Sequence, residues 1–99
     1  MAKLYSAERY ESLLSIDPGH RLVPGSKRRV KNDSTVYETF WLEEHNEQNE
    51  RIARYRTWNN RSLVPPYAQQ TGWERYSNSG QLLDREVRYS QRDNMDYIH

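Results

Sequence analysis

The fold is decided between residues 30 and 42, where the chain reads VKNDSTVYETFWL. Threonine, valine and aromatic residues dominate this stretch, and these residue types favour a pleated strand. Alternation along a strand places Phe40 on one face and Tyr37 and Trp41 on the other. Because both faces carry aromatic rings, we predict a strand that is either covered on both sides or presents one face of rings for binding.

The residues that follow predict two β-hairpins. Residues 45–49, HNEQN, indicate a turn, and residues 51–58 form the strand that returns from it. A helix over residues 43–57 is an alternative, because Glu, Gln and Arg favour helices. A second hairpin pairs residues 73–77 with residues 81–90 across a turn that contains Gly80.

The residues before the strand predict a helix. Ser6 is a good N-cap, and Tyr10, Leu13 and Leu14 follow at helical spacing. Pro18 ends the helix, because the residue before a proline is disfavoured in helical conformation. We therefore predict an α+β fold, with an N-terminal helix packed on a small, mostly antiparallel sheet of about four strands in two hairpins.

Length and composition limit the chain to one small domain, residues 1–99, whose ends 1–5 and 91–99 we expect to be loosely ordered. Only 34% of the residues are hydrophobic and the mean hydropathy is −1.20, so the core is small. The absence of cysteine excludes disulfides and thiolate metal sites. No apolar run resembles a signal peptide or a membrane span, so we predict a cytoplasmic protein without a membrane partner.

The net charge of +1 hides a block pattern. Residues 1–31 and 51–92 are basic, whereas residues 32–50 carry six negative charges and no positive one. One interpretation is that the blocks neutralise each other across paired strands. The other is a dipolar surface that steers an oppositely charged partner.

Tryptophan, tyrosine and arginine are interleaved between residues 36 and 90, and these three types dominate binding hot spots. We therefore predict a non-enzymatic protein–protein interaction module, a small adaptor or inhibitor that docks on a larger enzyme or complex. Within residues 64–67, VPPY, we expect a stiff, polyproline-like contact loop, with a cis proline bond as the alternative. The predicted contact residues are Trp41, Arg54, Arg56, Trp58, Pro65, Pro66, Tyr67 and Trp73.

The second hypothesis is a protein that binds single-stranded nucleic acid. Its phosphate contacts would come from a basic run, and exposed rings would stack on bases. A nearly neutral overall charge and the acidic block that follows the run weigh against it. The run consists of Lys27, Arg28, Arg29 and Lys31.

The third hypothesis is a metal-independent ribonuclease. Such an enzyme needs a base, an acid and a cation that stabilises the phosphorane. The candidates around the predicted turn are Glu43, Glu44, His45, Arg51, Arg54 and Arg56. The spacing of the three histidines is not that of a metal site, so we predict no metal ligand and no cofactor. The oligomeric state is open.

Overall fold

A computed structural model describes residues 7–91 of the chain. The predicted N-cap Ser6 and the two predicted loose ends lie outside these residues, apart from residue 91. One short helix is followed by five strands: α1 (Ala7–Leu14), β1 (Arg21–Asn32), β2 (Thr35–His45), β3 (Arg51–Ser62), β4 (Gln69–Tyr76) and β5 (Leu82–Ser90). No helix in this part of the chain has the length and apolar character needed to cross a membrane.

The predicted α+β class is wrong, because the described chain is nearly all-β. The five strands form one antiparallel sheet in the order β1-β2-β3-β4-β5, so each strand pairs with its neighbour in sequence. The sheet therefore contains four successive hairpins instead of two. The helix has only eight residues.

The missed strand is β1, which pairs along its whole length with β2. It contains Pro24, and the pairing with β2 is irregular between Pro24 and Lys27. An edge strand can accommodate a proline at such an irregularity because its outer side has no ladder hydrogen bonds to lose. The predicted strand over residues 30–42 is likewise divided by a turn, where Asp33 adopts a φ of 57°.

The hydrophobic core lies on one face of the sheet, over β2 and β3. Its buried residues are Leu14, Leu22, Phe40, Leu42, Ala53 and Tyr55. The ring of Tyr10, from the helix, packs edge-on against Phe40 with 5.8 Å between ring centres. We call this side of the sheet the core face and the opposite side the open face.

Register assigns each strand residue to a face, because residues directly opposite each other in an antiparallel pair share a face. Leu42 on β2 lies opposite Tyr55 on β3, and both point to the core face. Thr57, two residues after Tyr55, lies opposite Trp73 on β4, so Thr57 and Trp73 point to the same face. Trp41 lies opposite Arg56, which places both on the open face.

The charge blocks neutralise each other across the sheet, as the first interpretation of the pattern predicted. Glu38 on the acidic strand β2 is buried, and its carboxylate accepts a hydrogen bond from Arg61 on β3. Arg29 on β1 lies 3.4 Å from the other carboxylate oxygen. The acidic strand therefore lies between two basic strands, and this arrangement compensates the burial of Glu38.

Candidate functional site

The open face carries two pairs of stacked arginine and tryptophan side chains. The guanidinium carbon of Arg54 lies 4.8 Å from the ring centre of Trp41, and that of Arg56 lies 4.8 Å from the ring centre of Trp58. This distance is typical of a cation–π interaction. Two long, flexible side chains are therefore held over aromatic rings on one face of the sheet.

Glu74 on β4 fixes one of these arginines from the side. Its carboxylate lies 3.1 Å from Nη1 of Arg56 and 3.6 Å from Nε of Arg85, and it accepts a 2.7 Å hydrogen bond from the hydroxyl of Tyr76. Burial opposes ionisation of Glu74, but the hydrogen bonds from Tyr76 and Arg56 outweigh it and lower the pKa of this carboxyl. Glu74 is therefore an anion that orders the surrounding groups.

Trp58 is the most buried ring of this face, with 7% of its surface exposed. Its ring lies over Gly72 on β4, where a side chain would collide with it, and its Nε1 donates a 3.0 Å hydrogen bond to Gln70. Trp41 is half-buried, and its ring centre lies 6.0 Å from that of Tyr76. We call the set Trp41, Arg54, Arg56, Trp58, Glu74 and Tyr76 the stacked patch.

Four of the eight predicted contact residues belong to the stacked patch, namely Trp41, Arg54, Arg56 and Trp58. Trp73 does not, because it points to the core face, where its ring packs edge-on at 6.3 Å from that of Tyr55. Pro65, Pro66 and Tyr67 lie in the exposed loop between β3 and β4, beyond one end of the sheet. The bond between the two prolines is cis, which was the alternative to the expected polyproline-like loop.

The basic run is divided between the two faces. Lys27, Arg29 and Lys31 share the core face with their partners on β2, whereas Arg28 points to the open face. Arg29 is already paired with Glu38. The run therefore does not form one continuous track along a face.

The proposed ribonuclease residues are divided in the same way. Glu43 and His45 lie on the open side. The two carboxylate oxygens of Glu43 lie 3.1 Å from Nε2 of His45 and 3.3 Å from Nη1 of Arg51. The hydrogen bond from His45 contributes most to a lowered pKa of Glu43. Glu44 lies on the core face and is buried, and Arg54 is stacked on Trp41. The six candidates therefore do not form one cluster, and Glu43, His45 and Arg51 are the three that lie together.

Glu44 instead belongs to a buried polar network that the sequence analysis missed. Its two carboxylate oxygens accept hydrogen bonds of 2.7 Å from His20 Nδ1 and 2.8 Å from the hydroxyl of Tyr55. Arg75 donates from Nε to the Tyr55 oxygen at 3.1 Å and lies 3.7 Å from the carboxylate of Glu44. Burial and the adjacent Glu44 carboxylate raise the pKa of Tyr55 to about 12.

The network borders a cavity of about 200 Å³, which Asp17 and Asp84 also line. Ligand atoms of Asp17, His20 and Glu44 lie within 4.8 Å of one another, as in a metal site. However, the oxygens of Glu44 already accept hydrogen bonds, and the Arg75 guanidinium would repel a cation. The signal for this network in the sequence was Glu44, a charged residue that alternation places on the same strand face as the apolar residues Phe40 and Leu42. Its partners His20 and Tyr55 are 24 and 11 residues away and could not be inferred.

Comparison with protein-family models, curated proteins and solved structures gives no match to this chain. The residues and their arrangement are therefore the whole basis for a functional assignment.

Proposed function

We propose that the protein is a non-enzymatic interaction module of the cytoplasm, which docks through the stacked patch on an acidic surface of a larger protein. The observation that carries the proposal is the pair of arginines stacked on tryptophans side by side on one sheet face. Tryptophan, tyrosine and arginine contribute most of the free energy at protein interfaces. The patch collects all three types.

The charge of the patch favours an acidic partner. It contains Arg54 and Arg56 with Arg85 beside it, and Glu74 is its one carboxylate. Among residues 7–91, no carboxylate lies within ion-pairing distance of Arg54. Its donors are therefore available to a carboxylate of the partner, and such charge-assisted hydrogen bonds are stronger than neutral ones.

The patch is also prepared for binding before a partner arrives. Stacking and the Glu74 contacts already restrict the rotamers of Arg56, and hydrogen bonding to Gln70 fixes Trp58. Immobilising a flexible side chain on binding costs about 0.5–1.5 kcal/mol. Much of that cost is incurred during folding, so it does not reduce the affinity.

The test is affinity capture with and without nuclease, using the wild type and two double variants. Arg54→Ala/Arg56→Ala removes the two stacked cations. Lys27→Ala/Lys31→Ala is the matched control, because it removes the same charge from exposed core-face positions. We expect one stoichiometric protein partner that survives nuclease treatment, is lost with the first variant and is retained by the control.

Two results would contradict the proposal. Equal capture by both variants would show that the stacked patch is not the contact surface. Recovery of nucleic acid, with protein partners lost on digestion and affinity falling steeply with salt, would favour the single-stranded nucleic-acid hypothesis instead.

A further inference from the structure

The outer edge of β5 is a second candidate interaction surface, independent of the stacked patch. β5 is the last strand of the sheet, and no strand within residues 7–91 pairs with its outer side. Seven of its nine residues are exposed, and Glu86 and Val87 are half-buried. Such an edge presents unpaired N–H and C=O groups that another strand can bind.

The two edges of the sheet differ in how well they resist pairing. The outer strand β1 has Pro24, an irregular register between Pro24 and Lys27, and a run of four cations that would repel a second copy. These are the features by which natural sheets block their edges. β5 contains no proline, and its register with β4 is regular from Asp84 to Ser90.

The sequence of β5 is complementary to itself about Val87. In an antiparallel pair of two copies with Val87 on the two-fold axis, Glu86 of each copy lies opposite Arg88 of the other. Arg85 of each copy then lies opposite Tyr89, a cation beside an aromatic ring. Both arrangements stabilise a cross-strand pair, and each occurs twice because of the symmetry.

Neighbouring registers lack this complementarity. Centring the pair on Asp84, Arg85, Glu86 or Arg88 sets a charged side chain directly opposite its own copy, and like charges in that position are destabilising. Val87 is the one residue between 84 and 88 that is uncharged. Of the registers centred on residues 84–88, the charge pattern therefore favours the one centred on Val87.

We infer that two copies of the chain pair through β5, with Val87 on the two-fold axis. The result is a continuous ten-stranded antiparallel sheet. A two-fold axis perpendicular to the sheet keeps both open faces on the same side, so the dimer presents two stacked patches in one direction. The pairing itself does not depend on the function proposed for the patch.

Cysteine scanning tests the register directly, because the natural chain has no cysteine. Val87→Cys places two sulfur atoms across the axis, where directly opposite Cα atoms are about 4.5–5.5 Å apart, within the range that a disulfide needs. Arg85→Cys is the control, since its two copies are offset by four residues, roughly 13 Å along the strand. Under mild oxidation we expect a disulfide dimer from Val87→Cys and none from Arg85→Cys.

Charge exchange tests the pairing without a covalent bond. In sedimentation equilibrium between about 1 µM and 1 mM, we expect the wild type to dimerise and Arg88→Glu to weaken the dimer about tenfold or more, because two attractive pairs become repulsive. The double variant Glu86→Arg/Arg88→Glu restores the opposite-charge pairs and should restore dimerisation. Circular dichroism and urea unfolding establish that each variant is folded.

The inference is overturned by a wild type that stays monomeric over this range. It is also overturned if both cysteine variants form disulfides equally, or if Arg88→Glu dimerises like the wild type. If the dimer forms but affinity capture finds no binding partner for the stacked patch, the proposed function is contradicted and the dimer inference is not.

Discussion

Gly72 is the position at which a single methyl group should disturb the open face most. A Cβ atom there would lie 2.5 Å from Cζ2 of Trp58 and 2.6 Å from the carbonyl oxygen of Glu86. Ordinary contacts between carbon atoms are about 3.5–4.0 Å. In Gly72→Ala, the ring of Trp58 must therefore move by about 1 Å, and the backbone of β5 must also move away from the new methyl group.

Two opposing effects determine the change in stability. Overpacking of a closely packed site costs roughly 1–3 kcal/mol. Replacing glycine by alanine restricts the unfolded chain and stabilises the fold by about 0.4–1 kcal/mol where the backbone is unstrained, and Gly72 has no positive φ. We expect a net loss of about 1–2 kcal/mol, which lowers the Tm of a domain of this size by roughly 4–16 °C.

The change in the free energy of unfolding is measured by urea unfolding of four proteins: wild type, Gly72→Ala, Trp58→Ala and the double variant. We expect Gly72→Ala to cost less in the Trp58→Ala background, because the ring contact is then absent and only the contact with the Glu86 carbonyl remains. If Gly72→Ala is as stable as the wild type, or more stable, the close packing of Trp58 on β4 is wrong.

Three further predictions concern the ionisable groups. In urea unfolding, Glu44→Ala should lower the free energy of unfolding by about 3–5 kcal/mol, because it leaves buried partners without their anion. Glu43→Ala, next to it on the open side, should lower it by less than about 1 kcal/mol. Equal losses of stability in the two variants would contradict the network. The pKa of Tyr55 is raised to about 12 from 10.0. The contribution of Tyr55 to the free energy of unfolding is therefore complete below pH 10 and is lost as the pH rises toward 12, a fall of up to about 2–3 kcal/mol. Tyr55→Phe should make the free energy of unfolding less dependent on pH in this range. The pKa of Glu74 is lowered from its usual value of 4.5. The contribution of Glu74 to the free energy of unfolding is therefore complete above pH 4.5 and is lost as the pH falls below that value. Between pH 6 and pH 3, the Tm should accordingly depend less on pH in Glu74→Gln than in the wild type.

The central hairpin was predictable because its signals are local. β2 ends at His45 and β3 begins at Arg51, close to the predicted turn over 45–49 and strand over 51–58. The helix alternative over 43–57 is wrong, since alternating burial along β2 and β3 overrides the helix propensity of Glu and Arg. The hairpin of β4 and β5 was also anticipated, although β4 begins four residues earlier than predicted.

The first strand was not predictable from the same signals. Pro24 and Gly25 are typical of a loop, and only the position of β1 at the edge makes them compatible with a strand. The turn at Asp33 was overlooked because the residues on both sides favour strands, although Asn, Asp and Ser are typical turn residues.

The stacked patch was only partly predictable from the sequence. Residue type selected Trp41, Arg54, Arg56 and Trp58, but the same criterion also selected Trp73, which packs against the core. Residue type does not say which face a ring occupies; the register between strands does, and a shift of one residue would exchange the two faces.

The three tryptophans also give the protein three separate optical reporters. Trp41 lies under a guanidinium on one side of the sheet, Trp58 is nearly enclosed over Gly72, and Trp73 is beside Tyr55 on the other side. Indole emission responds to nearby charge and water, so each ring should have its own spectrum. In variants that retain one tryptophan, a partner on the open face should alter the emission of Trp41 and leave that of Trp73 unchanged, so that the occupied side of the sheet can be identified without a label.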